Sequence, residues 1–244
     1  MKTYTTHDIK NVVLLGASGS GKTTLAEAML FNAGRIRKRG RVDDGDSHLD
    51  TNEIERERGI TIFSSQAVLD HGDTHVMLVD APGHVDFSAE AERTLRALDY
   101  AILVVGANDG VQGHTETLWR LLARYDIPTF IFINKIDLEN PGRDVLLAQL
   151  EQRLSEGCLD ADELLAGGAV QEDAAALDEE ALEEFLDAGE LSTATLSRLV
   201  AERKLFPCFA GSALKDQGVD ELLDGICALM REQTWLPEFA ARVY

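Results

Sequence analysis

NVVLLGASGSGKTT, residues 11–24, is an apolar run that ends in a glycine-rich loop with a lysine and two threonines. The apolar part, residues 12–15, is short and closed by glycine, which is typical of a buried strand. The loop fits the pattern G-x-x-x-x-G-K-[ST], and a helical pattern follows it. A preceding strand and a following helix are the context in which this pattern binds phosphate. We therefore predict a nucleotide-binding loop made by Gly16, Ala17, Ser18, Gly19, Ser20, Gly21, Lys22, Thr23 and Thr24.

The residue types of this loop match separate parts of a phosphate site. Backbone N–H groups and the start of a helix attract anionic phosphates. The Lys22 amine is expected to reach the terminal phosphates, and the Thr23 hydroxyl is expected to bind Mg²⁺. A glycine turn that holds no ligand is the alternative, and the strand and helix on either side argue against it.

Apolar runs alternate with helical patterns along most of the chain. Strands are predicted at residues 74–80, 100–107, 127–134 and 205–211, and helices at residues 22–34, 85–98, 114–125 and 218–230. Residues 60–70 also have a strand pattern, and Gly72 with Asp73 predicts a hairpin to the next strand. This alternation is typical of an α/β fold, a mainly parallel sheet with helices on both faces.

Residues 151–204 differ from the rest, since they carry 15 acidic and 4 basic side chains in a chain of net charge −20. Their leucine spacing, and that of the residues just before them, predicts amphipathic helices at residues 144–154, 179–186 and 191–203. We interpret residues 139–204 as a small helical acidic insertion in the α/β domain. A disordered acidic linker is the alternative.

Asp80 ends the predicted strand at residues 74–80 and is followed by Ala81, Pro82, Gly83 and His84. An acidic residue at a strand end beside a phosphate loop is expected to hold Mg²⁺ through water. The Gly83 N–H can then meet a γ-phosphate, with His84 near the attacking water. Alone, the pattern D-x-P-G indicates only a turn, so its meaning depends on the phosphate loop before it.

Asn134, Lys135 and Asp137 belong to an N-K-I-D motif at the end of the strand 127–134. A carboxylate such as Asp137 can accept from both N1–H and the N2 amine of guanine, and adenine offers no such pair of donors. The motif therefore favours GTP and argues against an ATP-using P-loop kinase, which shares only the first motif. Further support for the base is expected from backbone N–H groups of Ser212, Ala213 and Leu214.

Thr61 follows a charged stretch, residues 34–59, that we interpret as a long mobile loop. A threonine there can bind Mg²⁺ only while a γ-phosphate holds the loop, which is the order–disorder switch of GTP-driven proteins. The first part of this loop, GRIRKRGR at residues 34–41, holds five cations, Arg35, Arg37, Lys38, Arg39 and Arg41. These cations are either solvated or contact RNA phosphates.

The overall composition argues against several other classes of function. A pI of about 4.6 disfavours a general nucleic-acid-coating surface. Residues 1–10 lack the apolar core of a signal peptide, and no run of 18 apolar residues indicates a membrane span. The three cysteines have no CxxC spacing and fit reduced thiols. We expect a cytoplasmic protein that does not associate with membranes.

Four further segments carry a family resemblance: DTNEIERERGITI at residues 50–62, DAPGHVDF at 80–87, GVQGHTETLWR at 110–120 and FINKID at 132–137. With the phosphate loop, they resemble the G domain of translational GTPases of the elongation factor G and tetracycline-resistance ribosomal protection family. The resemblance implies a P-loop GTPase fold, Mg²⁺ with GTP or GDP, and hydrolysis stimulated by the ribosome. It also implies contacts with ribosomal RNA and stalk proteins, made by a monomer.

The resemblance implies domain boundaries as well. Residues 1–138 and 205–232 form the G domain, and residues 139–204 match the position of the family's G′ subdomain. The modest length of this insertion, and the NKID motif, favour the ribosomal protection branch. The ending FAARVY is similar to the first strand of the next domain, so residues 233–244 are expected to be a linker and the start of a truncated second domain.

Roles for single residues also follow from the resemblance. The implied catalytic group is Lys22, Gly83 and His84, with His84 orienting the attacking water. The implied Mg²⁺ ligands are Thr23, Thr61 and, through water, Asp80. This chain departs from the family at Ser18 and Gly19, where an apolar residue and an aspartate are usual. The departures favour one alternative function, a GTP-gated ribosome-binding module with negligible hydrolysis.

Overall fold

The structure is a computed structural model that describes residues 8–40, 47–49, 61, 64–83, 92, 95 and 98–231. Within these ranges the strands are β1 Ile9–Leu15, β2 Ser65–His71, β3 Thr74–Asp80, β4 Tyr100–Gly106, β5 Thr129–Asn134, β6 Cys158–Asp160 and β7 Phe206–Ala210. The helices of the same ranges are α1 Lys22–Asn32, α2 Gly113–Arg124, α3 Arg143–Arg153, α4 Ala161–Ala166, α5 Ala169–Ala175, α6 Glu179–Ala188, α7 Thr193–Ala201 and α8 Val219–Leu229.

One sheet joins these strands in the order β2-β3-β1-β4-β5-β7-β6. β2 runs antiparallel to β3, and the other neighbouring pairs are parallel. The predicted α/β fold with a mainly parallel sheet is therefore confirmed. Because parallel strands end at the same edge of a sheet, the loops that follow β1, β3, β5 and β7 meet along one side of the molecule.

The core lies on both faces of this sheet. Along β1, Val12 and Leu14 pack in the apolar cluster that contains α1, α7 and α8. Val13 and Leu15 face the opposite cluster, which contains α2 and α3. β4 and β5 are buried at every position. Strands that are covered on both faces have continuous apolar sequences rather than alternating ones, which is why these runs could be predicted.

The hairpin between β2 and β3 is confirmed, with His71 paired to Thr74 across the turn. Gly72 occupies the left-handed region at φ 56°, where a side chain is disfavoured. β2 begins at Ser65, five residues later than the predicted strand, and residues 62 and 63 lie outside the described ranges. Of the helix predicted at residues 85–98, the structure describes Glu92 and Leu95 as helical, and the other positions up to residue 97 are outside those ranges.

The acidic segment is folded, so the disordered linker is wrong for the described residues. α3, α6 and α7 confirm the three predicted helices within one to two residues at most ends. Asp178 and Ser192 cap α6 and α7 by accepting from backbone N–H groups of the first turn. The short α4 and α5 and the strand β6 were not predicted. The boundaries proposed at residues 139 and 205 remain a prediction.

Trp119 on α2 is a packing residue. Its indole N–H donates to the Leu154 carbonyl at 3.1 Å, and its ring meets Phe206 edge-on. Trp235 lies outside the described residues. All three cysteines lie within the described residues, and all three are free thiols. Among the described helices, no helix combines the length and the apolar character that crossing a bilayer requires.

Candidate nucleotide-binding site

The loop between β1 and α1 lies at the edge where the parallel strands end. Gly21 is the N-cap of α1 and adopts φ 92°. A Cβ at Gly21 would lie 2.3 Å from the Asn134 amide nitrogen, so the position requires glycine on two grounds. The Ser20 hydroxyl oxygen is buried and has no hydrogen-bond partner within the described residues. A buried hydroxyl of this kind is one that a bound phosphate could satisfy.

Lys22 lies at the first position of α1 and is buried, with 6% of its surface exposed. Its amine donates to the carbonyls of Gly16 at 3.1 Å and Ala17 at 3.2 Å. Burial lowers the pKa of this amine, and the charge of Asp80 opposes the shift. A buried ammonium that, within the described residues, has two carbonyls and a nearby carboxylate as partners is suited to an anionic ligand, which would stabilise its charge.

Three oxygen donors predicted as Mg²⁺ ligands meet beside the start of α1. The Thr23 hydroxyl donates to the Asp80 carboxylate at 2.6 Å, and the Thr23 and Thr61 hydroxyl oxygens are 3.1 Å apart. All three side chains are buried. Hard oxygen ligands of this type, a carboxylate and hydroxyls, are the ones that Mg²⁺ prefers, so the residues present fit the metal that the family resemblance implies.

The stretch after β3 brings Gly83 against the phosphate loop. Ala81, Pro82 and Gly83 are buried, and the Ala81 N–H donates to the Leu14 carbonyl of β1. A Cβ at Gly83 would lie 2.1 Å from the Lys22 amine nitrogen and 3.0 Å from the Gly16 carbonyl oxygen. Glycine therefore allows the backbone to approach the lysine closely. His84 lies outside the described residues, and its role stays a prediction.

Asn134 joins three parts of the site. Its amide nitrogen donates to the Ser20 carbonyl in the phosphate loop at 2.8 Å. Its amide oxygen accepts from the Lys135 N–H and the Ala213 N–H, both at 2.9 Å. The phosphate loop, the end of β5 and the loop after β7 are thus tied through one buried amide. Asp137 is exposed at the rim beside them.

The loop after β7 is a tight turn. The Ser212 and Gln217 backbones exchange hydrogen bonds of 2.9 and 3.0 Å. Ser212 and Ala213 are buried, and Leu214 is about half exposed. The structure therefore brings the predicted base-binding residues to the same side as the phosphate loop, although they lie more than 100 positions away in sequence.

The contacts of two residues beside the site could not be predicted from the sequence. Glu27 is a buried carboxylate on α1, and Arg39 donates to the Ala213 carbonyl at 3.1 Å. A signal for the burial of Glu27 was available in principle, since it is the one charged residue in an otherwise apolar run of α1, residues 25–30, all of which are buried. No comparable pattern distinguishes Arg39, because its neighbours in sequence are also basic.

The basic loop is partly tied to the protein itself. Arg35 pairs with Asp70 of β2 at 2.5 Å. Arg39 lies 3.5 Å from the Asp216 carboxylate and over the ring of Phe31. These two cations therefore have intramolecular partners, whereas Arg41 lies outside the described residues. Contact between the loop and RNA remains a prediction.

A family model described as "Elongation factor Tu GTP binding domain" matches residues 7–232. The chain belongs to this family. The phosphate loop, the Thr23–Asp80 pair and the Asn134 amide are therefore features of an elongation factor Tu-type GTP-binding domain. The fold predicted from the resemblance, a P-loop GTPase, is confirmed.

Curated relatives of this GTP-binding domain include tetracycline resistance proteins and elongation factor G. The tetracycline resistance protein TetM of Streptomyces lividans is 37% identical over 92% of this chain and 38% of that protein. TetP of Clostridium perfringens is 35% identical over 90% of the chain and 37% of that protein. Elongation factor G of Mycoplasma pneumoniae is 31% identical over 96% of the chain and 41% of that protein.

A solved structure has the same fold. A crystal structure of a Thermus thermophilus protein superposes with a TM-score of 0.82 at 27% identity, covering 93% of this chain and 41% of that one. The chain thus spans about two fifths of the length of the curated relatives and of this structure.

Proposed function

We propose that this chain is the GTP-binding and GTP-hydrolysing switch domain of a ribosome-associated translation factor. The observation that carries the proposal is the position of Thr61. Its hydroxyl lies 3.1 Å from that of Thr23, which itself donates to Asp80. A residue that follows a long charged loop thus reaches the metal-binding pair. Such a contact gives the loop a way to respond to the γ-phosphate.

The proposed metal is Mg²⁺, held by Thr23 and Thr61, with Asp80 acting through water. Bound there, it would neutralise charge on the phosphates. The residues themselves have separate tasks. Lys22 presents a desolvated amine to the terminal phosphates, and the Gly83 N–H is assigned to donate to the γ-phosphate beside that amine.

The proposed nucleotide is GTP rather than ATP. Asp137 is the residue assigned to guanine, and Lys135, Ser212, Ala213 and Leu214 line the base. Support comes from the Asn134 amide, whose bonds to Ser20 and Ala213 set the distance between the phosphate loop and the base loop. Titration with mant-labelled GDP and ADP tests this proposal. Equal affinity for the two nucleotides would contradict it.

Hydrolysis is proposed to depend on His84 as the residue that orients water, and on the ribosome as activator. In a full-length protein that contains this chain, His84→Ala should abolish ribosome-stimulated GTP hydrolysis while mant-GDP affinity is retained. The isolated chain is expected to hydrolyse GTP slowly. Rapid turnover without ribosomes would mean that the activator is not needed.

The alternative function, a GTP-gated ribosome-binding module with negligible hydrolysis, is favoured by Ser18 and Gly19. Both residues are exposed in the phosphate loop, where an altered side chain can change the trigger without changing the fold. Single-turnover assays of the full-length protein with ribosomes separate the two. Ribosome binding without hydrolysis above background would favour the alternative.

Within the family, we propose the ribosomal protection branch, acting in the cytoplasm as a monomer. Identity is higher with the two tetracycline resistance proteins than with elongation factor G, whose alignment runs over 281 residues against 241 for TetM. The longer alignment is consistent with a shorter insertion at residues 139–204 in this chain. Tetracycline resistance in a sensitive host, conferred by the full-length gene, is the test. Residues 233–244 are proposed to lead into the next domain.

A further inference from the structure

Glu27 on α1 is almost completely buried, with 1% of its surface exposed. Its carboxylate accepts hydrogen bonds from one loop. One oxygen accepts from the Ser47 hydroxyl at 3.0 Å, the His48 N–H at 2.5 Å and the Leu49 N–H at 3.3 Å. The other oxygen accepts from the Gly40 N–H at 3.0 Å and lies 3.0 Å from His48 Nδ1.

Burying a carboxylate is costly unless hydrogen bonds replace its water. Here four N–H and O–H donors and the His48 ring do so, and they all come from residues 40 and 47–49, which are among the described positions of the loop between α1 and Thr61. Glu27 lies four positions after Thr23 on α1, so the two side chains point to the same side of the helix one turn apart. The carboxylate thus anchors the loop to the helix that also carries the predicted metal ligand.

The anchored part of the loop is also joined to the strand that follows Thr61. The Ser65 hydroxyl of β2 donates to the Leu49 carbonyl at 2.8 Å. Leu49 is therefore held on one side by Glu27 and on the other by the start of β2. Thr61 lies between these fixed points in sequence, four residues before Ser65. Displacing Leu49 would remove one of the two fixed points, Leu49 and Ser65, between which Thr61 lies in sequence.

We infer that Glu27 is a positioning residue for the GTP-bound state. By holding residues 40 and 47–49 on α1, it limits the positions open to Thr61 and so favours its contact with the metal and γ-phosphate side of the site. This inference rests on the proposed function. It assigns to Glu27 a part of the selectivity for triphosphate over diphosphate, because GDP has no γ-phosphate and does not require Thr61.

The substitution Glu27→Gln tests this role. The Gln amide group presents two hydrogens to a pocket lined by donors, so one side of the anchor is lost. With Mg²⁺ present, affinity for the mant-labelled β,γ-imido analogue of GTP should fall about tenfold, the equivalent of one hydrogen bond to a charged group. Affinity for mant-GDP should change less than about threefold. A purely structural role would lower both affinities equally, which would overturn the inference, as would no change in either.

Glu184→Gln is the matched control. Glu184 is also a helix carboxylate that accepts from a following loop, through the Ser192 N–H and the Thr195 hydroxyl, but it lies in the acidic segment. Its replacement should leave the ratio of the two affinities unchanged. If Glu27→Gln fails to fold, Ser47→Ala and His48→Ala each remove a contact instead, and each should lower the ratio about threefold. An unchanged ratio in both would overturn the inference.

A double-mutant comparison shows whether Glu27 acts through Thr61. In a Thr61→Ala background, Glu27→Gln should have no further effect on the ratio of the two affinities, since the residue that it positions is gone. An additional loss of equal size would overturn the inference. Failure of the proposed function itself is distinguishable, because the wild-type chain would then show no preference for guanine over adenine nucleotides.

Discussion

The nucleotide site and the acidic helices α4–α7 differ in how far apart in sequence their hydrogen-bonded residues lie. In the site, the separations are 57 positions for Thr23 and Asp80 and 114 for Ser20 and Asn134. In the acidic helices they are shorter, with 3 positions for the cap of α6 and 20 for Asp178 and Arg198. The polar contacts of the site therefore depend on elements from across the sheet, whereas these contacts of the acidic helices are made within their own segment.

Lys22→Ala should have the largest effect in this comparison. It removes the buried amine that lies next to the Gly16 and Ala17 carbonyls. Affinity for GTP measured by mant-nucleotide fluorescence should fall about 100-fold, since two or more charge-assisted hydrogen bonds to phosphate are lost. Lys204→Ala, which removes a lysine paired with Asp178 in the acidic segment, should not change the affinity. A similar loss in both variants would contradict the separation of the two regions.

Asn134→Ala should have the next largest effect, because one side chain joins the phosphate loop to the base loop. The Ser20 carbonyl and the Ala213 N–H would each lose a partner, and the free energy of unfolding should fall by about 2 kcal/mol. Urea denaturation followed by Trp119 fluorescence measures this loss. GDP affinity should fall about tenfold at the same time. Full stability with reduced affinity would mean that the amide contacts only the ligand.

Gly83→Ala should weaken triphosphate binding selectively. The new Cβ would overlap the Lys22 amine, which can move to another rotamer at a cost of about 1 kcal/mol. That cost corresponds to about a fivefold loss of affinity for the GTP analogue. GDP affinity and the urea midpoint should stay close to those of the wild type. A large drop in the midpoint would indicate that the nearby Gly16 carbonyl, and not the lysine, limits the space.

Asp178→Asn should have the smallest effect, and only on stability. Asn keeps the cap on α6 but loses the charge that pairs with Arg198 and Lys204. Hydrogen bonding from Arg198, more than any other cause, holds the pKa of the Asp178 carboxyl below its ordinary value. The free energy of unfolding at pH 7 should fall by about 1 kcal/mol, with nucleotide affinity unchanged.

The pH dependence of that loss provides a second readout. A carboxylate with a lowered pKa in the folded state stabilises the fold above its unfolded pKa, about 4, and its contribution disappears as the pH falls below that value. The difference between wild type and Asp178→Asn should therefore shrink from pH 5 towards pH 2. Asp187→Asn, a change at an exposed position of the same α6, should show no such difference at any pH.

Much of the fold could be predicted because the strands of the sheet centre are long apolar runs. Residues 74–80, 100–107, 127–134 and 205–211 all contain strands close to those bounds. β6, α4 and α5 could not be predicted in the same way. β6 has three residues, and the two helices have six and seven, so none is long enough for a period to emerge.

The candidate site could be predicted as a set of motifs but not as a network. The motifs placed Thr23, Thr61 and Asp80 together, since each type suits a metal ligand. The bond from Asn134 to Ser20, and the contacts of Glu27 with the loop, depend on the packing of α1 against the sheet. Those distances have no counterpart in local sequence. His84 lies outside the described residues, so its position is still a prediction.

The position of β7 between β5 and β6 has a consequence for synthesis. β6 is made before β7, and among the described strands it pairs with β7 alone. β5 gains its second neighbour from the same strand. During synthesis, which starts at the N-terminus, β5 therefore has an exposed edge until residues 206–210 have been made. Exposed strand edges are sites of aggregation. Ala213 lies three residues after the end of β7, so the proposed base-binding side of the site is completed only when the edge is covered.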